Sequence, residues 1–248
     1  MKLFVVNIGN TNTQYAVYSH KKFENFKTCS TEELSEDILP SEEMPVLVAS
    51  AVPEKDSILQ SDNTFFLTHE TKTVLDFSHV DNSSMGPDRI ANAIALANYS
   101  KLPAICIDCG TAITFEVVDA NYIFRGGAIL PGRKMLRKAL NHFTAKIPLS
   151  QKISAKSPSV LGRNTLDAIM SGCDIGVLGS VQKLIKKIKI ELGDKHCQVI
   201  ATGGDANFFA DNLIEVSYGG ADYTLRGLVA AWKYIQKKKT ETGNDCSD

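Results

Sequence analysis

Apolar residues first recur in short runs broken by small polar clusters, and later at helical spacing. Leu3–Val6 and Gln14–Tyr18 read as two strands, continued by Lys22–Phe26 as an antiparallel meander. Glu32–Ile38 reads as a short helix, Val46–Ser50 as a strand closed by Val52-Pro53, and Thr64–Leu67 as a brief strand. In Pro87–Tyr99, Ile90, Ala93, Ile94 and Ala97 recur at i, i+3, i+4 and i+7, which predicts a helix with one apolar face. From Ala104 the order begins again. Strands are predicted at Ala104–Asp108, Ala112–Asp119, Tyr122–Gly126 and Ala128–Leu130, and a helix at Arg133–Asn141 after Pro131-Gly132. Thr165–Leu192 suits one or two helices with Gly172, Gly176 and Gly179 along one stripe, which permits close backbone approach within the chain or to a second copy. Gln198–Ala201 reads as a buried strand running into Thr202-Gly203-Gly204-Asp205, and Thr224–Lys237 as a last helix.

The repeat of strand, Gly turn, strand and helix predicts a duplicated pair of α/β domains, 1–103 and 104–248, with the boundary near Lys101–Ala104. Each half opens on the same element: Val5-Val6-Asn7-Ile8-Gly9-Asn10-Thr11-Asn12-Thr13 in one, Ile107-Asp108-Cys109-Gly110-Thr111-Ala112 in the other. A tight turn between two strands leaves N–H groups and hydroxyls pointing outward, an arrangement suited to phosphate oxygens. Two such turns facing each other across a cleft would hold a nucleotide triphosphate, so phosphoryl transfer is the first hypothesis.

Composition narrows the alternatives. At 248 residues the chain is long enough for two medium domains. A net charge of −1 favours neither nucleic acid nor a membrane surface as partner, and the Lys183–Lys189 run reads as a solvated helix face. No apolar run reaches the length of a membrane span, no signal segment opens the chain, and the tail Lys237–Asp248 is expected to fray, so a cytoplasmic protein is expected. Cys106 and Cys109 have CxxC spacing without a second pair, so the six cysteines read as reduced structural thiols. The five histidines show no metal spacing. Neither a GxxxxGK[ST] nor a GxGxxG loop is present.

Four places carry candidate chemistry. Gly86-Pro87-Asp88-Arg89 opens a helix, where Asp88 is either a dipole-favoured first-turn acid or a general base beside an anion-reading Arg89. Asp108 is either a turn-initiating residue or a cation ligand, and Thr111 either a turn hydroxyl or a phosphate contact. Thr202-Gly203-Gly204-Asp205 has the form of a loop at a nucleotide's edge.

Together these motifs resemble the type III pantothenate kinases, a branch of the acetate and sugar kinase, heat-shock chaperone and actin superfamily. The resemblance runs from Leu3 to about Trp232 and includes Asn7-Ile8-Gly9-Asn10-Thr11, Gly86-Pro87-Asp88-Arg89, Asp108-Cys109-Gly110-Thr111-Ala112, Gly126-Gly127-Ala128-Ile129-Leu130-Pro131-Gly132, Gly162-Arg163-Asn164-Thr165 and Thr202-Gly203-Gly204. It implies two ribonuclease-H-like domains with an interdomain active-site cleft, a homodimer, and ATP-dependent phosphorylation of pantothenate with Mg²⁺ and a monovalent cation, K⁺ or NH₄⁺. By motif, Asn7, Ile8, Gly9, Asn10, Thr11, Asn12, Thr13 and Gln14 would line the ATP phosphates and Thr111 would touch ATP. Gly86, Pro87, Asp88, Arg89 and Thr165 would hold pantothenate, with Asp88 as proton acceptor, and Asp108 would bind the monovalent cation. Two positions depart from the pattern. Asn7 stands where the family has Asp near Mg²⁺, and a family Tyr ahead of the Gly86 motif has no clear counterpart near His79 and Val80. A non-catalytic nucleotide- or pantothenate-binding protein, or another small-molecule kinase of the superfamily, are the alternatives.

Overall fold

The computed structural model describes residues 1–40, 43–150, 154 and 156–243. The chain forms two units. One comprises Met1–Ser100, Ala120–Arg125 and the chain from Asp222 onward; the other comprises Lys101–Asp119 and Gly126–Ala221.

The first unit is built on a five-stranded sheet. Strand β1 (Leu3–Ile8) pairs antiparallel with β2 (Asn12–Ser19), which pairs with β3 (Lys22–Ser30). On its other side β1 runs parallel to β4 (Val46–Ser50), which is followed outward by β5 (Thr64–Phe66). The period of two divides β1 cleanly. Phe4, Val6 and Ile8 enter a core with Leu34, Met44, Val48, Val52 and Leu59, while Leu3, Val5 and Asn7 share the opposite face. Helix α1 (Pro87–Tyr99) has the predicted bounds and packs on β4.

The expected helix Glu32–Ile38 is instead two 3-10 turns, Thr31–Glu33 and Glu36–Ile38, because Leu34 and Ser35 are extended between them. A third such segment, Pro53–Leu59, lay outside the sequence reading.

In the second unit, β6 (Ala104–Cys109) and β7 (Ala112–Val118) form the repeated hairpin. The chain then passes through β8 (Phe124–Gly126) to β9 (Ile129–Pro131), which pairs with β7, and into α2 (Arg133–His142). Helix α3 (Thr165–Glu191) is one continuous element, capped by Asn164 Oδ1, which accepts from the Asp167 N–H. Strand β10 (Gln198–Thr202) runs parallel to β6, and β11 (Val216–Tyr218) parallel to β10, with α4 (Ala206–Asn212) between them. Ile105, Ile107, Cys109, Phe115 and Val117 pack there against Val177, Val181 and Ile185 of α3 and Phe208 and Phe209 of α4. By length and composition α3 could cross a membrane, which the sequence reading did not anticipate; here its apolar stripe covers this sheet.

The last helix, α5 (Tyr223–Gly243), belongs to the first unit and not with 104–248, where the duplicated pattern puts it. It crosses α1 where Gly227 lies so close to Ala91 that a Cβ would overlap the Ala91 carbonyl, and the Thr224 hydroxyl donates to Asn92 Oδ1 at 2.8 Å inside the contact. The helix runs beyond its expected end at Lys237 to Gly243, and residues 244–248 of the tail expected to fray lie outside the described residues. Cys29, Cys106, Cys109, Cys173 and Cys197 are free thiols, and burial pushes the Cys106 and Cys109 thiols well up; Cys246 lies outside the described residues.

Candidate active site

The first Gly turn joins β1 to β2. Ile8 pairs with Thr13 across the hairpin, and the Gly9 N–H donates to the Asn12 carbonyl at 3.1 Å, leaving Asn10, Thr11 and Asn12 exposed. The turn is braced from below. The Thr31 hydroxyl donates to the Gly9 carbonyl at 2.7 Å and lies 3.0 Å from the buried Thr13 hydroxyl, while the Thr31 N–H donates to the Thr11 carbonyl. Two of the expected ATP residues therefore turn inward: Thr13 serves the brace and Ile8 the core. Asn7 and Gln14 stand opposite each other in register on one face. Asn7 Oδ1 is buried without a hydrogen-bond partner, an acceptor of the kind that suits a metal-bound water.

Gly86 to Arg89 lies at the start of α1. Gly86 is the N-cap and Pro87 opens the helix, where its missing N–H costs nothing. The Asp88 carboxylate folds back onto its own turn, accepting from the Arg89 N–H at 2.9 Å. Burial pushes the Asp88 carboxyl above its ordinary range, opposed in part by that N–H and the Arg89 charge.

The second Gly turn, at the end of β6, is buttressed differently. The Gly110 N–H donates to the Ala112 carbonyl and the Gly132 N–H to the Thr111 carbonyl, both at 3.0 Å, so the start of α2 is fastened to the turn. Gly132 must lack a side chain, since a Cβ there would stand 2.5 Å from the Thr111 oxygen and nearer still to that of Gly110. Gly203 completes the arrangement. Its φ of +90° belongs to glycine, and a Cβ would stand 2.5 Å from Asp108 Oδ1 and 2.8 Å from the Cys109 carbonyl. The Asp205 N–H donates to that same Cys109 carbonyl at 2.9 Å. Asp108, Thr111 and the Thr202–Asp205 loop are thus gathered at one end of β6. Thr165, by contrast, is an exposed residue in the first turn of α3.

One constellation lay outside the sequence reading. Arg133 and Arg137 of α2 are each 1% exposed and converge on Asp174 of α3, itself 2% exposed. Arg133 Nε and Nη2 donate to the two Asp174 oxygens at 2.9 and 3.0 Å, and Arg137 Nη2 donates at 2.6 Å. Arg133 also reaches the Ser154 carbonyl at 2.7 Å and Asp205 at 3.3 Å, with its guanidinium 3.6 Å above the Phe208 ring. Only the spacing of Arg133 and Arg137 at i, i+4 hinted at this, and that pattern reads equally as a solvated face.

Among the described residues the Gly172, Gly176 and Gly179 stripe is not a packing seam: beyond the helix's own backbone, nothing lies within 4 Å of a Cβ built at any of the three. Gly172 and Gly176 instead border an apolar groove of about 670 Å³ with Leu136, Leu140 and Phe143.

The sequence model of the type III pantothenate kinases matches residues 3–187. A type III pantothenate kinase of Methylacidiphilum infernorum is 31% identical over 249 residues, covering 96% of this chain and 90% of that one. Among solved structures, a conserved Campylobacter jejuni protein assigned to a Baf family of transcriptional activators aligns with a TM-score of 0.66 at 20% identity, covering 94% and 99% of the two chains. MreB 5 of Spiroplasma citri bound to AMPPNP aligns at 0.51 and 11% identity, covering 98% of each. These last two likenesses concern the fold, that of the actin-like ATPases. With three quarters of its length matched by the family model and a full-length relative above 30% identity, this chain belongs to the type III pantothenate kinase family.

Proposed function

We propose that the protein transfers the γ-phosphoryl group of ATP to the terminal hydroxyl of pantothenate, giving 4′-phosphopantothenate at the first step of coenzyme A synthesis. The observation that carries this reading, within a chain of that family, is Asp88: a carboxylate of raised proton affinity in the Gly86–Arg89 motif. As the hydroxyl oxygen bonds to the γ-phosphorus and the bridging oxygen leaves with ADP, Asp88 takes the hydroxyl proton. Its upward shift brings its proton affinity nearer the working pH, where a general base is most effective. Arg89 supplies positive charge toward the anionic substrate, and Thr165 contributes a further hydroxyl. Gly9 to Asn12, Gln14 and Thr111 bind phosphate oxygens through backbone and polar side-chain groups, and most of the acceleration comes from positioning and charge stabilisation.

Mg²⁺ supplies neutralising charge on the phosphates, and the residues present fit it in one respect: the orphaned Asn7 Oδ1 would accept from its waters. The Asp108 carboxylate would hold the monovalent cation. The protein works in the cytoplasm as a homodimer, and the open Gly172–Gly176 face, flanked by the 81%-exposed Phe143, is the surface we assign to the second copy. On that assignment, Gly176→Leu shifts the protein toward monomer in analytical ultracentrifugation; an unchanged dimer mass removes this face from the interface.

The deciding experiment measures pantothenate-dependent ADP release with Mg²⁺ and K⁺ for the natural chain, Asn7→Asp and Asp88→Asn. Turnover in the first two, with a loss of about 10²–10⁴-fold in the third, is expected. Activity confined to Asn7→Asp would favour a binding protein, a reading that the uncharged Asn7 motivates. Near-normal turnover in Asp88→Asn would remove Asp88 as the base.

A further inference from the structure

A single guanidinium ties three segments of the second unit together at the nucleotide-binding end of β6. We propose that Arg133 is a positioning residue for ATP: through Asp205 it fixes the Thr202–Asp205 loop against the Gly110-Thr111 turn. This rests on the ATP-binding reading above.

Arg133 directly follows Gly132, whose N–H is bonded to the turn. Its side chain points away from the turn into the core and leaves none of its three nitrogens idle. Nε and Nη2 grip Asp174, Nη2 also reaches the Ser154 carbonyl, and Nη1 reaches Asp205. The Phe208 ring beneath the guanidinium limits its freedom to tilt.

The charges account for the second carboxylate. Two buried cations, Arg133 and Arg137, share Asp174, so one carboxylate faces two guanidinium groups until Asp205 joins them. Asp205 is then held at both ends, its side chain by Arg133 and its N–H by the Cys109 carbonyl at the base of the turn. Gly203, two residues earlier, is thereby kept over Asp108.

The two arms of Arg133 differ in kind. The Asp174 arm is bidentate and sealed, whereas the Asp205 arm is a single 3.3 Å contact to a carboxylate 20% exposed. Asp205 makes no side-chain cap bond to α4, so truncating it takes no bond from that helix and none from the Arg133–Asp174 pair, while it cuts the side-chain tie to the loop and leaves the N–H bond to the Cys109 carbonyl.

The test is titration calorimetry with AMPPNP in the presence of Mg²⁺, alongside steady-state kinetics and thermal melts. Asp205→Ala is expected to weaken AMPPNP binding and raise KM for ATP by about tenfold, the scale of one charge-assisted hydrogen bond. KM for pantothenate stays within about twofold, since the loop is assigned to the nucleotide alone. Asp205→Asn, which keeps an acceptor oxygen, restores most of the affinity. Arg133→Lys shifts the same ATP terms, and with Asp205→Ala in one chain it does no more harm than the worse single change, as expected of residues acting through one contact. Unchanged AMPPNP affinity in Asp205→Ala, no recovery in Asp205→Asn, or simple addition in the double variant overturns the proposal. If Arg133→Lys fails to fold, the Ala and Asn pair at Asp205 decides. AMPPNP binding needs no pantothenate, so an error in the phosphate acceptor leaves this result standing; failure of the natural chain to bind AMPPNP removes the ATP reading and this proposal with it.

Discussion

The two Gly turns begin from the same local recipe and are secured by different means. In each, a polar residue precedes an apolar one that enters the core, then a glycine: Asn7-Ile8-Gly9 and Asp108-Cys109-Gly110. The first turn hangs on hydroxyls, with Thr31 bonded to the Gly9 carbonyl and Thr13. The second is wedged between backbones, with Gly132 against its carbonyls and Gly203 over its carboxylate. A hydroxyl brace can be lost one bond at a time, whereas a backbone wedge tolerates no added atom. The first turn should therefore weaken gradually under substitution and the second fail abruptly.

The largest effect should come from the wedge. Gly132→Ala, which forces a methyl into two carbonyls, is expected to cost about 3 kcal/mol or more in chemical denaturation and to abolish turnover. Gly9→Ala, whose Cβ would stand 3.0 Å from the Asn12 carbonyl, should cost about 1 kcal/mol. Equal losses at the two glycines would erase the distinction.

Charge comes next. Asp108→Asn makes the second turn resemble the first, and the expected result is an activity that no longer responds to K⁺ or NH₄⁺. Asn7→Asp makes the converse change and lowers the Mg²⁺ concentration needed for half-maximal rate. If neither cation response moves, the two positions do not serve cations.

A smaller effect is expected from Thr31→Val. It removes the bonds to Gly9 and Thr13 while keeping the shape, for a loss of about 1–2 kcal/mol in denaturant titration. Stability unchanged within error would mean that the brace is idle.

The smallest effect concerns Asp88, which tests pH rather than either turn. Its carboxyl is held above its ordinary range by burial, so the folded state favours the protonated form. That contribution to stability is present below the ordinary carboxylate range and fades as pH rises through the raised value. Asp88→Asn should therefore melt slightly higher than the natural chain at neutral pH and alike in acid. Catalysis runs the other way, with kcat/KM falling on the acid side as Asp88 takes a proton, at a pH above the usual carboxylate range. A melting difference that persists in acid would assign the effect to something other than this ionisation.

Much of the frame was legible because local pattern and tertiary structure agree. Val46–Ser50 and Pro87–Tyr99 have the bounds read from periodicity, since each is flanked by a turn or proline and carries one unbroken apolar set. The Gly turns were legible because their chemistry is contained in a few consecutive residues. What escaped depends on distant partners. Glu32–Ile38 has helix-forming residues but buries only Thr31 and Leu34 nearby, too little to hold a continuous turn. The short α4 and β11 carry no periodicity long enough to register. Asp174 lies 41 residues from Arg133, so nothing local announces their pairing. The glycines of α3 look alike in sequence to those of a packed seam, and only the surrounding space separates the two cases.

The position of α5 bears on how the protein is made. The sheet of the first unit is complete once Phe66 has been synthesised and α1 once Tyr99 has, yet the helix that crosses α1 at Ala91 is made only after the residues of the second unit. Throughout translation of residues 101–221 the nascent first unit lacks that cover. The second unit, by contrast, can close as soon as β11 has emerged. Of the two units, the one begun first is thus the one finished last.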